Sequence, residues 1–410
     1  MHVCMFIWNF RPGPQGGAEH QCWKLARELV RQGVECTVLT RRSLLRSPRR
    51  EETEGVHIRR IGLFGPLRTR MDRWRDRWRD RHGGDDGHTS SGTENVRAHG
   101  PLSLFRTIDY LCFLVSAYRY FEQHRKTIDL IHVHGEYWMA GFARHFGLKW
   151  RIPVLMKEAL CPVFRPTNRD VPGWRRWERL RTNHWYAAMH AGIRSELMER
   201  GVPGDRIFDV PNGVDMPGER SALESPVALC ASNFTQGAAH KGFDLLFRAW
   251  AGVAGTLDGV RLVIAGRGSM QAWRQYAEDT GCGDSIEFAG HVNDMDQIYL
   301  KAAVLLLPSR MEGISNTLLE AQSYGIPAVA FDLPGNRAVI EPGLNGEIVA
   351  SEDHEAMAAA ATRLLGDKRL RKRMGDAARE RAEETFAMPV VASRMKTVYT
   401  DIIRKNDYEL

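Results

Sequence analysis

The stretch from Pro308 to Val349, PSRMEGISNTLLEAQSYGIPAVAFDLPGNRAVIEPGLNGEIV, sets two carboxylates eight residues apart across a strand-to-helix junction. The apolar run Val304-Leu305-Leu306-Leu307 reads as a buried strand that Pro308 and Ser309 end. From Asn316 onward, Leu318, Leu319 and Ala321 follow helical spacing. Glu312 therefore falls in the loop and Glu320 on the helix. Gly313 lets backbone N–H groups near the helix start approach a diphosphate, whose charge the positive end of the helix dipole favours. A carboxylate one or two turns on can accept from the vicinal hydroxyls of a ribose. An ordinary helix with an acidic first turn would show the same residues, so the rest of the chain decides.

At 410 residues the chain suits two domains of roughly 200 residues each. Hydrophobic content of 43% and charged content of 26% are those of a globular protein and exclude wholesale disorder. The most apolar candidate for a membrane span, Tyr110 to Tyr118, is about two helical turns long and is bounded by Asp109 and Arg119. The opening MHVCMFIWNF lacks a basic leader and a cleavage site, and reads as the first buried strand. Seven scattered cysteines, with neither C-x-x-C nor zinc spacing, point to a reducing cytosol. The net charge of +7 sits in one place, since residues 41–82 hold 14 arginines against 6 acids. No nucleic-acid-binding motif accompanies that excess, so a nucleic-acid partner is not expected.

Strand and helix signals alternate along the chain. A strand from Val3 to Trp8, the loop PGPQGGAEH, a helix presenting Leu25, Leu29 and Val30, and a strand from Glu35 to Leu39 make a βαβ unit. Such a unit predicts a parallel sheet with ligands at the carboxyl ends of its strands. Leu130 to His134 and Val154 to Met156 continue the sheet, and helical, arginine-rich sequence runs from Trp174 to Met198. GVPGDRIFDVPNGVDMPGERSALESP is dense in Pro and Gly, as an interdomain crossing should be. Strands at 227–230, 262–265, 286–288, 304–307 and 328–331, with a helix after Gly242, follow, and PVVASRMKTVYTDIIRK makes an amphipathic helix. Residues 71–99 read as an insertion. Within it, Trp74 and Trp78 share a helical face flanked by arginines and aspartates. That arm suits either a membrane interface or a solvated, salt-bridged surface.

The order and spacing of PQGGAEH, IHVHGEYW, VPNGVD, HKGFDLL, LVIAGRGS and the Pro308–Val349 stretch resemble the retaining glycosyltransferases of family 4 over nearly the whole chain. The resemblance implies the α/β GT-B fold, two Rossmann-like domains facing across a cleft, with a C-terminal helix crossing back to the first domain. On that plan residues 1–205 form the acceptor-binding domain, 206–385 the nucleotide-sugar-binding domain and 386–410 the crossing helix. The implied activity is transfer of a hexosyl unit, with a UDP-sugar favoured, to a glycan or lipid-linked acceptor in cell-surface polysaccharide or lipopolysaccharide biosynthesis. The place would be the cytoplasm or the inner membrane face. The alternatives are a nucleotide-sugar epimerase or phosphorylase of the same fold, or a non-catalytic scaffold that binds nucleotide sugar.

Residue by residue, the resemblance implies that His134 touches the donor sugar and assists transfer, that Glu312 binds sugar hydroxyls and that Glu320 binds the ribose. Gly16 and Gly17 would lie against the donor phosphates and the acceptor, and the backbones of Gly313, Ile314 and Ser315 would face the phosphates. Asn316 and Arg337 would lie at the rim. His132 is expected on the face opposite His134. Lys241 is the candidate diphosphate cation, because a lysine at a helix start is otherwise unfavourable beside the dipole. The family's usual arginine a few residues earlier is missing from CASNFTQGAAHKG, where Asn233 stands near its place. Arg267 of AGRGS is the candidate substitute, or else a solvent-facing loop residue. Asp294 and Asp296 form a D-x-D that could hold a divalent ion, but a short helix start accounts for them more simply. Neither a metal nor a cofactor is expected, the nucleotide sugar being a co-substrate.

Overall fold

A computed structural model describes residues 1–12, 16–44, 47–62, 101–135, 137–158, 184–233 and 238–408. The 71–99 insertion with Trp74 and Trp78, the segment 159–183 with Cys161, and part of the first glycine loop lie outside the described residues. The chain divides into two compact units. One comprises Met1–Ala188, Arg194–Val210 and Ala392–Leu410, and the other Met189–Ile193 and Pro211–Val391.

In the first unit, β1 (His2–Ile7), α1 (Gly17–Arg31) and β2 (Glu35–Arg41) form the expected βαβ. β3 (Arg50–Thr53) and β4 (Val56–Ile61) then make an antiparallel edge. α2 (Pro101–His124), β5 (Leu130–His134), α3 (Tyr137–Trp150), β6 (Val154–Glu158), β7 (Trp185–Ala188), α4 (Ala191–Glu199) and β8 (Ile207–Asp209) complete it. Among the described residues the sheet has eight strands in the order β3-β4-β2-β1-β5-β6-β7-β8, parallel throughout except at β3. β1, β5 and β6 are buried at every position. This is why they read as continuous apolar runs rather than alternating ones.

The helical reading from Trp174 to Met198 is corrected. Trp185-Tyr186-Ala187-Ala188 is a buried strand paired to β6, and the helix begins at Ala191. Burial on both faces of a sheet overrides the helical propensity of the alanines, and Trp and Tyr fit a pleated surface well.

The second unit runs through β9 (Val227–Ala231), α5 (Phe243–Ala254), β10 (Arg261–Ala265), α6 (Gln271–Asp279), β11 (Ile286–Gly290) and α7 (Asp296–Tyr299). β12 (Val304–Leu307), α8 (Asn316–Ser323), β13 (Ala328–Phe331), α9 (Pro334–Val339), β14 (Gly346–Val349), α10 (His354–Gly366) and α11 (Lys368–Arg381) follow. Its sheet is wholly parallel, in the order β11-β10-β9-β12-β13-β14. A core cluster gathers Phe243, Phe247 and Trp250 of α5 against Leu262 and Ile264 of β10 and Leu364 of α10. α12 (Met388–Tyr408) ends the chain, and from Ala392 it belongs to the first unit. There the Tyr399 hydroxyl and Nδ1 of His132 share a hydrogen bond of 2.6 Å, and Lys396 Nζ donates to the carbonyl of Gln32 at 2.6 Å.

Candidate functional site

Each sheet reverses its direction of growth once. In the second unit the chain builds from β9 outward through β10 and β11, then returns to place β12 on the other side of β9. The crevice between the loops leaving β9 and β12 is thus a switch point, the place where open parallel sheets bind ligands. Those two loops carry Lys241 and Glu312. Lys241 ends a turn at 238–241, Gly242 caps α5 in the left-handed region at φ 68°, and Glu312 lies between β12 and α8.

Lys241 Nζ donates to Glu312 Oε1 at 2.5 Å, and Ser309 Oγ donates to the same oxygen at 3.0 Å. The carboxylate therefore offsets a lysine charge that would otherwise oppose the α5 dipole. Arg310 clamps the two loops together. Its guanidinium spans both oxygens of Asp244 at 2.8 Å, and its backbone N–H reaches the carbonyl of His240 at 2.7 Å. Gly242 is required here, since a Cβ on it would lie 2.0 Å from the carbonyl oxygen of Pro308.

The loop from Gly313 to Ser315 is held from three sides. Ser315 caps α8 through Oγ, which accepts from Leu318 N at 3.4 Å. Asn212, the second residue past the crossing, donates from Nδ2 to Asn316 Oδ1 at 3.1 Å and to the carbonyl of Ile314 at 3.4 Å. Gly335, near the start of α9, packs so closely that a Cβ would lie 1.7 Å from the carbonyl oxygen of Gly313. Backbone N–H groups at an α-helix start held this firmly form a preorganised anion cradle. One to two turns on, Glu320 Oε2 accepts from the buried Tyr299 hydroxyl at 2.8 Å. Burial, and next the Glu320 charge, push the Tyr299 phenol well above its usual range. Tyr299 stacks on Tyr324, which donates to Asp296 Oδ1 at 2.6 Å. Asp294 Oδ1 accepts from the Asp296 N–H, so both aspartates are engaged around the start of α7.

Arg267 is exposed on the loop after β10, with Nε 3.4 Å from His291 Nδ1. Ser232 N donates to the carbonyl of Ala265 at 2.9 Å, so the Arg267 loop leaves the sheet beside the β9 loop. Arg337 is exposed and ion-paired to Asp332.

In the first unit the switch point falls between β1 and β5, with Gly16 and Gly17 at the start of α1 on one side and His134 closing β5 on the other. The Gly16 N–H is taken by Glu19 Oε2 at 2.7 Å, a carboxylate occupying the anion position of the α1 N-terminus. The expected placement of His132 is corrected, because residues two apart on a strand share a face. Its ring lies 4.2 Å from that of His134. His134 is 4% exposed and its Nε2 has no hydrogen-bond partner. Burial, then the neighbouring His132 and Lys157, hold the His134 imidazole well below its ordinary pKa, and it is neutral at pH 7.

Lys241, Glu312, the 313–316 backbone and Glu320 therefore converge within the second unit. His134, Gly16 and Gly17 stand at the corresponding edge of the first. Four residues near these points were not singled out from the sequence: Asn212, Tyr299, Gly335 and Lys157. Asn212 lies within the VPNGVD motif and Gly335 within PGN, where a glycine at a helix start can mark a close approach, while Tyr299 and Lys157 carried no signal.

Residues 16–213 match the family model described as a glycosyl transferase 4-like domain, and residues 225–367 match that of glycosyl transferases group 1. Similar proteins include an exopolysaccharide phosphotransferase of Streptomyces coelicolor, 32% identical over 170 residues, 41% of this chain and 18% of that protein. A phosphatidyl-myo-inositol mannosyltransferase of Mycobacterium leprae is 31% identical over 48% of this chain and 54% of its own. A D-inositol 3-phosphate glycosyltransferase of Acidothermus cellulolyticus is 27% identical over 86% of this chain and 79% of its own. The match spans 18 to 54% of the length of the first three curated relatives. Among solved structures, the sucrose-phosphate synthase of Thermosynechococcus elongatus superposes with a TM-score of 0.71 at 19% identity, covering 99% of this chain and 100% of that one. HepE of Anabaena, in complex with UDP, gives 0.69 at 15% identity, covering 98% and 100%. Two glycosyltransferase models matched in sequence order over most of its length, on two parallel-sheet α/β units and a helical C-terminus, show that the chain belongs to the GT-B glycosyltransferase superfamily.

Proposed function

We propose that this chain is a retaining, metal-independent hexosyltransferase that uses a nucleotide diphosphate sugar to extend a glycan or lipid-linked acceptor in cell-surface polysaccharide biosynthesis. What carries the reading is the lysine–glutamate pair at the β9/β12 switch point, beside a locked loop whose N–H groups suit a diphosphate, with Glu320 placed for a ribose. Exopolysaccharide and phosphatidylinositol relatives support the acceptor class. For the donor base, HepE bound to UDP-glucose favours UDP. A relative from Mycobacterium tuberculosis described as GDP-mannose-dependent makes GDP the rival.

In the reaction the bond from the anomeric carbon to the diphosphate oxygen breaks as the bond to the acceptor oxygen forms. The acceptor proton passes to the departing phosphate, so no separate base is needed. Charge grows on the diphosphate as the transition state becomes oxocarbenium-like, and donors fixed in advance stabilise it most. Lys241 and the N–H groups of 313–315 have that role, Glu312 orients the sugar, Glu320 holds the ribose, and Gly16, Gly17 and His134 serve the reacting end. Arg267 is the proposed second cation.

The test is nucleotide release from UDP-, GDP- and ADP-sugars by purified protein with bacterial lipid extract, with and without a chelator. Chelator-resistant release from one donor, reduced roughly a hundredfold in Glu312→Ala, is expected. Release from none, with no thermal stabilisation by any donor, would overturn the reading.

A further inference from the structure

Lys157 is a buried charge with no counter-charge among the described residues. It is the fourth residue of β6, in register with His134 of β5 on one side and Ala187 of β7 on the other. Matched positions on neighbouring parallel strands point to one face, so Lys157, His134 and His132 share the face on which Cys22 of α1 packs against Met5. Lys157 is 6% exposed, and among the described residues no hydrogen bond or ion pair engages its ammonium. Glu158, the next residue, alternates to the other face. The acid that does act on it, the Cys22 thiol, is held neutral by burial, and so are both histidines. Burial lowers the lysine to about 8, which leaves it charged at neutral pH. An ammonium taken out of water is normally paired, because the desolvation penalty is otherwise uncompensated. A pairless one at the carboxyl edge of a parallel sheet points to a ligand. Lys157 stands at the carboxyl edge of a parallel sheet, next to a neutral imidazole whose Nε2 is also unbonded.

We propose that Lys157 is the counter-charge for a phosphate group on the acceptor, held at the ends of β5 and β6 with His134 Nε2–H as its second donor. A phosphate has oxygens for both, and lysine meets it as a point charge. The inference rests on the glycosyltransferase reading and narrows its acceptor to phosphorylated molecules, either soluble or lipid-borne.

The experiment uses the full chain saturated with whichever of UDP, GDP or ADP binds it, so that the diphosphate position is filled. Inorganic phosphate is then titrated by calorimetry. The wild type and Lys157→Arg should bind it, and Lys157→Met should bind it at least roughly tenfold more weakly, with unchanged nucleotide affinity. Lys157→Gln serves as a second neutral variant should the methionine protein misfold. Displacement of phosphate by sn-glycerol 3-phosphate but not by phosphatidylglycerol vesicles supports a soluble acceptor. Displacement by the vesicles, against phosphatidylcholine controls, supports a lipid one. Phosphate binding that is absent from the wild type, equal in both neutral variants, or displaced by neither competitor overturns the proposal. Absence of nucleotide binding would instead sink the glycosyltransferase reading itself, so the two failures are separable.

Discussion

Lys157 burdens folding as well as offering a charge. Its folded pKa, about 8, lies below the 10.5 of an ordinary lysine. The unfolded chain therefore binds the proton more tightly, and the difference of about 2.5 units amounts to about 3 kcal/mol. The penalty is full below pH 8, shrinks as pH rises from 8 to 10.5, and vanishes above that window. Lys157→Met should thus stabilise the protein by about 3 kcal/mol at pH 7 in urea unfolding and by much less at pH 10. Equal or lower stability at pH 7 would show that the ammonium is compensated. In the sequence, MKE after an apolar run looks like the solvated end of a strand, and nothing local reveals that β7 covers its far side. His134 was legible because it closes an apolar strand before a glycine. The face of His132 follows from the two-residue period and is confirmed by its ring lying 4.2 Å from that of His134, tilted by 36°. The arginine excess at 41–82 likewise hid structure, since Arg41 pairs with the buried Asp109 at 2.9 Å and Arg60 with Glu51 at 2.7 Å. Sequence counts charges but does not say which are turned inward.

Elements buried on both faces were legible as apolar runs, and β5, β12 and β13 start and stop where those runs do. β4 was not, because VHIRRI is buried only at alternate positions and carries arginines. The device that makes the second-unit site rigid was also invisible, being a contact between two loops brought together by sheet order. Gly335 takes an ordinary φ, so its constraint is purely steric: a Cβ 1.7 Å from the Gly313 oxygen cannot be accommodated without moving the loop. Gly335→Ala should therefore cost about 1–3 kcal/mol in overpacking. It should also weaken nucleotide binding more than a variant of equal instability elsewhere in the unit. Gly218→Ala, with no atom within 4 Å of the new Cβ, is the neutral control. Thermal shift with and without nucleotide measures both effects. A Gly335→Ala protein with normal nucleotide affinity would mean that the 313–315 backbone does not form the cradle.

At the scale of the molecule, the alternation of strands and helices announced two parallel sheets, but the tie between the end of the chain and the first sheet depends on packing that only three dimensions display. From Ala392 onward α12 buries Met395, Val398, Tyr399 and Ile402 within the first unit, and Tyr399 is hydrogen-bonded to Nδ1 of His132. Those four side chains are nearly or fully buried, so the apolar stripe of α12 is covered within the sheet-bearing unit. Burial of such side chains contributes about 1.5–3 kcal/mol each. Four of them approach the whole stability of a typical domain, about 5–15 kcal/mol. Ending the chain after Val391 should therefore unfold the first unit, which limited proteolysis would show as loss of its residues with 211–391 protected. Lys241, Glu312, the 313–316 backbone and Glu320 all lie in the surviving unit, and so do Asn212 and Gly335, which hold them. Nucleotide should still raise its melting temperature, while glycosyl transfer, in which His134 of the first unit has a proposed part, should disappear. Loss of nucleotide binding with 211–391 still folded would mean that the donor residues are insufficient alone, and would move part of the donor site to the first unit.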